Sequence, residues 1–184
     1  MDAKLALLST LGASAGGAGA FGIYKFASKE EAVKPFTDEE YQLIFKEFKS
    51  DNSFIEALKT KKSSITNTSS KEDGGWASKE WCFGNNSEEA RKWCVKLPTT
   101  VGSKIGKSLS SDWAKRIQAI KDKSNGALLT DLKTIKDTLS KVEDNQDSRD
   151  ALEGWCKSKW DTKVINDSDN SIYTKVKERC VDSE

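Results

Sequence analysis

The chain has 184 residues, with 30 basic and 29 acidic side chains and a formal net charge of +1. Nucleic-acid modules carry a clustered basic excess, and this chain has none, so no nucleic-acid partner is expected. It contains no histidine, and its four cysteines are too far apart for paired metal ligands, so no metal site and no histidine-based catalysis is expected.

The first informative segment is Leu5–Tyr24, LALLSTLGASAGGAGAFGIY, twenty residues without a charge. At about 1.5 Å per residue such a run as a helix just crosses a hydrocarbon core of about 30 Å. Three readings compete for residues 1–27. One is an uncleaved signal anchor spanning the bilayer. Another is a cleaved signal peptide, with an apolar stretch Leu5–Leu11 and a small-x-small site at Ala18-Gly19-Ala20. The third is a buried helix of a soluble domain. Gly12, Gly16, Gly17, Gly19 and Gly22 disfavour the third, since each costs about 1 kcal/mol against Ala in a water-exposed helix. The positive N-terminal region is weak, with Lys4 offset by Asp2, which favours the anchor over cleavage. Lys25, Lys29 and Lys34 follow the run, and a literal positive-inside count would keep the remainder inside the cell. The four cysteines argue for an oxidising side instead.

Residues 28–184 read as almost wholly helical, so the fold class expected is all-α behind an N-terminal transmembrane or signal-anchor helix. Thr37-Asp38-Glu39-Glu40 forms a capping box, followed by Tyr41, Ile44, Phe45 and Phe48 on one helical face. Phe54, Ile55 and Leu58 give a second short helix, and these elements make 28–58 a membrane-proximal helical segment. The stretch 59–75, KTKKSSITNTSSKEDGG, is rich in Ser, Thr, Lys and Gly and reads as a flexible linker. Residues 76–184 then form a helical Trp/Cys-rich domain.

Within it, Ser87 caps a helix carrying Ala90, Trp93, Cys94 and Leu97, ended by Pro98. Ser111 or Asp112 opens the next, with Trp113, Ile117 and Ile120 inward and a break at Asn125-Gly126. Leu128, Leu132, Ile135, Leu139 and Val142 predict the longest helix. Ser148 caps a helix with Leu152, Trp155 and Cys156, and Ser171–Val181 forms the last, with Tyr173, Val176 and Cys180 inward. No period-2 strand stands out.

Trp81-Cys82, Trp93-Cys94 and Trp155-Cys156 are three Trp-Cys dipeptides, and the segments 87–94 and 148–156 look like a degenerate repeat of a capped helix ending in Trp-Cys. Trp81, Trp93, Trp155 and Trp160 are the candidate aromatic cluster: either a Trp-lined binding site or, the favoured alternative, packing beside cystine bridges. Cys82, Cys94, Cys156 and Cys180 allow three disulfide connectivities. The pairing expected is between sequence neighbours, Cys82–Cys94 and Cys156–Cys180, because each then encloses a loop with its own turn residues.

The remaining motifs carry no catalytic assignment. Gly102-Ser-Lys-Ile-Gly106-Lys107-Ser108 has three residues between its glycines where a phosphate-binding loop has four, and reads as a flexible connector without a nucleotide cofactor. Asn67, Asn85 and Asn166 head glycosylation sequons that matter only in a eukaryotic secretory pathway. The acidic stretches 144–147 and 166–170 lack Ca²⁺-loop spacing and read as turns. No Ser–Lys pair is singled out as a nucleophile.

The Gly/Ala-rich leader MDAKLALLSTLGASAGGAGAFGIYKF, followed by a Lys/Glu/Ser-rich helical body with Trp-Cys pairs, resembles the paralogous uncharacterised membrane-associated proteins of haemotropic mycoplasmas. The resemblance implies a cell-surface or membrane location in a wall-less bacterium living on red cells, and no activity. The expectation is a non-enzymatic surface protein held to the membrane through residues 5–24, with a host-surface protein as partner or a role as a variable coat. A cytoplasm-facing tethered scaffold with reduced cysteines is the alternative, and a secreted enzyme the weaker one.

Overall fold

The computed structural model describes residues 36–122 and 125–182; the expected leader at 1–27 lies outside them. Among the described residues there are nine α-helices and no strand, and no helix is long and apolar enough to cross a membrane. The helices are α1 (Asp38–Phe48), α2 (Asn52–Lys59), α3 (Lys71–Cys82), α4 (Glu88–Trp93), α5 (Val101–Ile105), α6 (Trp113–Ile120), α7 (Asn125–Lys133), α8 (Gln146–Trp160) and α9 (Ser171–Cys180).

Local chemistry starts most of them. Thr37 Oγ1 accepts from Glu40 N at 3.2 Å while Thr37 N donates to Glu40 Oε2 at 2.7 Å, which is the expected capping box. Phe36, just outside, packs edge-on against Tyr41 at 5.5 Å between centroids, completing a hydrophobic staple. Asp51, Ser70, Ser87, Thr100, Asp112 and Asn145 each cap the helix they precede.

Burial then divides the helices into two cores. Tyr41, Ile44, Phe45, Phe54, Ile55, Leu58, Ile65, Ala77, Cys82 and Trp93 form the first, from α1–α4. Val101, Ile117, Leu128, Leu132, Leu152, Trp155, Val176 and Cys180 centre the second, from α5–α9. A small third cluster, Leu43 with Val164 and Ile165, joins them through a 3₁₀ turn at Val164–Asn166. Each core contains one disulfide: Cys82–Cys94 in the first, Cys156–Cys180 in the second. The expected local pairing is the one found.

Several boundaries move. Residues 59–75 do not run as a linker. Ile65 is buried, turns at 60–70 are closed by backbone bonds such as Ile65 N to Lys62 O at 3.0 Å, and Gly74 and Gly75 lie inside α3. Helix α1 packs antiparallel along α3 as the most extensive helix pairing described. Phe45 sits over Gly74, and Gln42 Cγ is 2.5 Å from where a β-carbon of Gly75 would stand. The two glycines cost helix propensity, about 1 kcal/mol each, and the close approach they permit outweighs it.

Among the described residues the longest helix is α8, not a helix through Leu128–Val142. α7 ends at Lys133, Thr134 Oγ1 turns back to Asp131 O at 2.6 Å, and Leu139 reaches the core from a turn. Asn125-Gly126 opens α7, while α6 already ends at Ile120. Ser148 is not the cap of α8. Asn145 accepts from Ser148 N at 2.9 Å, and the buried Ser148 hydroxyl takes a bond from Glu143 N at 3.1 Å. Ser87 caps α4 whereas Ser148 lies inside α8, so the two Trp-Cys segments are not structural repeats.

Candidate functional site

The four candidate tryptophans do not form one cluster but fall into two cores. Trp81 and Trp93 meet at a tilt in the first core, 5.5 Å between centroids, and Phe54 meets Trp93 edge-on at 5.3 Å. Trp155 is buried in the second core beneath the Arg179 guanidinium, 5.3 Å from its ring centroid, and Trp160 packs at the margin of that core. Trp93 and Trp155 are almost fully buried. The pairs therefore enlarge two hydrophobic cores beside two cystines, as large aromatics do in small domains.

The Gly102–Ser108 segment is no phosphate cradle. Thr100 caps it reciprocally with Ser103, Val101–Ile105 is helical, and Gly106 ends it in the left-handed region at φ 69°. Gly102 is there for packing, because a β-carbon would overlap the Trp160 indole. The flexible connector expected there is this short capped helix.

Two polar clusters sit deeper. At the joint between the cores, Lys46 Nζ donates to Val164 O at 2.5 Å and to Asp167 O. Burial pushes the Lys46 ammonium below its ordinary pKa, and nearby Lys104 adds to the effect. Lys104 in turn faces Glu47 at 3.4 Å and lies 5.2 Å from the Tyr173 ring centroid. The buried Asp167 carboxylate accepts from Ile172 N at 3.0 Å and Tyr173 N at 2.8 Å, so it caps α9 in place of Asn170. The donors here are spent on backbone carbonyls and the carboxylate on backbone amides, which ties α1, the 3₁₀ turn and α9 together.

In the second core, Arg116 reaches the C-terminal end of α9. Its Nε donates to Arg179 O at 2.9 Å and its Nη2 to Glu178 O, while Ser110 N donates to Cys180 O at 2.8 Å. These tertiary donors satisfy carbonyls that a helix end leaves open. Arg179 Nη1 meets Asp131 Oδ2 at 2.5 Å, and Lys175 meets the same oxygen at 2.9 Å. Burial alone would raise the Asp131 pKa, but the hydrogen bonds from Lys175 and Arg179 outweigh it and hold the carboxyl below its ordinary range.

An open depression of about 510 Å³ is lined by Lys121, Asp122, Val142, Glu143, Asp144 and Asn145. Its most acidic corner, Asp144, is engaged by Gln118 at 2.9 Å and by Arg149. No group of three or more His, Cys, Asp or Glu side chains among the described residues could hold a metal ion.

The feature that sequence reasoning missed lies on the outer side of α3. Gly74, Gly75, Ala77, Ser78 and Cys82 face inward, and Trp76 and Phe83, seven positions apart, share the opposite face. Trp76 is 49% exposed and Phe83 is 79% exposed. The signal was in the sequence, since GGWASKEWCF read at helical period places the small residues opposite these two rings.

No family model, no curated protein and no solved structure matches the chain.

Proposed function

We propose that this is a membrane-anchored, non-enzymatic surface protein, held by residues 5–24 and presenting its helical body outside the cell for contact or as a coat. The uncharged run Leu5–Tyr24 ahead of a body closed by two cystines supports it. Disulfides persist on oxidising sides of membranes, and a twenty-residue uncharged run has spanning length. The likeness to surface-associated families of haemotropic mycoplasmas points the same way.

The test is topological. The chain should stay with membranes through an alkaline carbonate wash. Trypsin added to intact cells should release the body by cutting at Lys25, Lys29 or Lys34. Lysines cut only after lysis, together with four free thiols, would instead identify the cytoplasm-facing scaffold, the reading that those same lysines favour by the positive-inside count.

A further inference from the structure

We propose that the Trp76/Phe83 face of α3 rests on the lipid bilayer, as an interfacial contact that orients the body over the membrane in which its leader is anchored. The proposal rests on the anchor reading above. Three observations carry it.

The first is that the backbone carrying both rings is fixed, Trp76 inside α3 and Phe83 at its C-terminal cap. Phe83 follows Cys82, which is bridged to Cys94, and Phe83 N donates to Lys79 O at 2.9 Å. The chain then turns away through Gly84 at φ 68°, with Asn85 N bonded to Cys82 O at 3.1 Å. An apolar side chain fixed in water on both flanks gains most where water is replaced by something less polar.

The second is position. Because α1 runs antiparallel to α3, the start of α1 lies at the end of α3 that carries Phe83, and Lys79 Nζ bonds Asp38 Oδ1 there at 2.8 Å. Trp76 is seven helical residues back, about 10 Å along the axis. The described chain begins at Phe36, twelve positions after Tyr24. Twelve residues span at most about 40 Å, so the tether is short enough for this end of the body to reach the headgroups of a bilayer holding the leader. The tether also supplies a high effective concentration, so a contact too small to bind alone is occupied.

The third is chemistry. Two rings supply far less than the roughly 1,200 Å² that a stable protein interface buries, which weighs against a protein as the occupant. Trp suits the headgroup level, where its apolar body and polar N–H are both accommodated. The charges at helical spacing from the rings are Lys79, paired to Asp38, Asp73, paired to Lys62, and the exposed Glu72 and Glu80. With carboxylates flanking the strip, the surface it fits is a zwitterionic lipid headgroup layer and not an anionic one.

The full chain would be reconstituted in phosphatidylcholine nanodiscs whose acyl chains carry bromine near the ester, and tryptophan emission compared with that in unbrominated discs. Wild type should be quenched, and Trp76→Phe, a conservative change at an exposed site, should lose most of that quenching. Phe83→Ser should weaken it, and extra salt should leave it unchanged. Quenching that is absent, or unaltered by Trp76→Phe, overturns the lipid contact. So does a concentration-dependent dimer in detergent that Phe83→Ser abolishes, since a second copy would then be the occupant. Carbonate extraction of the same samples separates the two ideas. A retained chain without Trp76-dependent quenching loses the contact and keeps the anchor. An extracted chain that still shows it keeps the contact and loses the anchor, and one that shows neither loses both.

Discussion

Phe45 of α1 lies directly on the backbone of Gly74 in α3, so a β-carbon there would overlap Cγ and Cδ1 of the ring. Phe45 is buried, and it cannot retreat without opening the first core. Gly74→Ala should therefore destabilise the protein by about 1–3 kcal/mol, as overpacking does. Gly102→Ala, under Trp160, should do likewise. Gly126 serves as the control, because it is an exposed residue of α7 and a β-carbon there would meet nothing within 4 Å; its Ala variant should be unchanged or more stable by up to about 1 kcal/mol. Urea unfolding followed by circular dichroism distinguishes them.

The same contact explains where the sequence could be read and where it could not. Caps are local, so Thr37-Glu40, Ser87 and Asp112 were legible from neighbouring residues alone. The cystine pairing was legible because both loops are short. The linker expected at 59–75 fails because composition ignores partners: Gly-Gly reads as flexibility until a ring from α1 occupies the space. The helix expected through Leu128–Val142 fails for a related reason. Leu139 and Val142 keep an apolar spacing but reach the second core from turns, and Ile135 lies against Gly154, whose missing side chain makes room at 2.9 Å. The four tryptophans read as one cluster because dipeptides record adjacency to cysteine, not which core each cysteine enters.

The two bridges should differ in reactivity. Cys156 and Cys180 are fully buried, whereas Cys94 is partly exposed and Cys82 is 9% exposed. Mild dithiothreitol should open Cys82–Cys94 first, read by alkylation and peptide mass, with Cys156–Cys180 yielding only when the second core unfolds. Loss of either bridge should cost roughly 3 kcal/mol in the chain-entropy model.

Arg116→Ala should destabilise by about 2–4 kcal/mol, because it leaves the Arg179 and Glu178 carbonyls without their buried donor. Amide exchange should speed up in α9 more than in α1–α4. Arg116→Lys should recover only part of the loss, since an ammonium cannot span both carbonyls as the guanidinium does.

Asp131 should contribute to acid sensitivity. Its carboxyl is held below the ordinary range in the folded state, so its stabilisation is complete above the unfolded pKa of about 3.9 and is lost as pH falls through the lower folded value. Asp131→Asn should lower stability at neutral pH and flatten the acid limb below about pH 4. Urea midpoints measured from pH 2 to 7 would reveal it; parallel curves for the two proteins would exclude the role.

The bridges also set an order of events for a chain delivered across a membrane from its N-terminal side. The rings they close, at 82–94 and 156–180, neither overlap nor nest. Cys94 emerges long before Cys156, so once Cys82–Cys94 has closed, Cys156 meets no free thiol upstream and Cys180 meets only Cys156. Such a chain oxidises correctly in the sequence in which it arrives, without threading and without reshuffling a wrong bond.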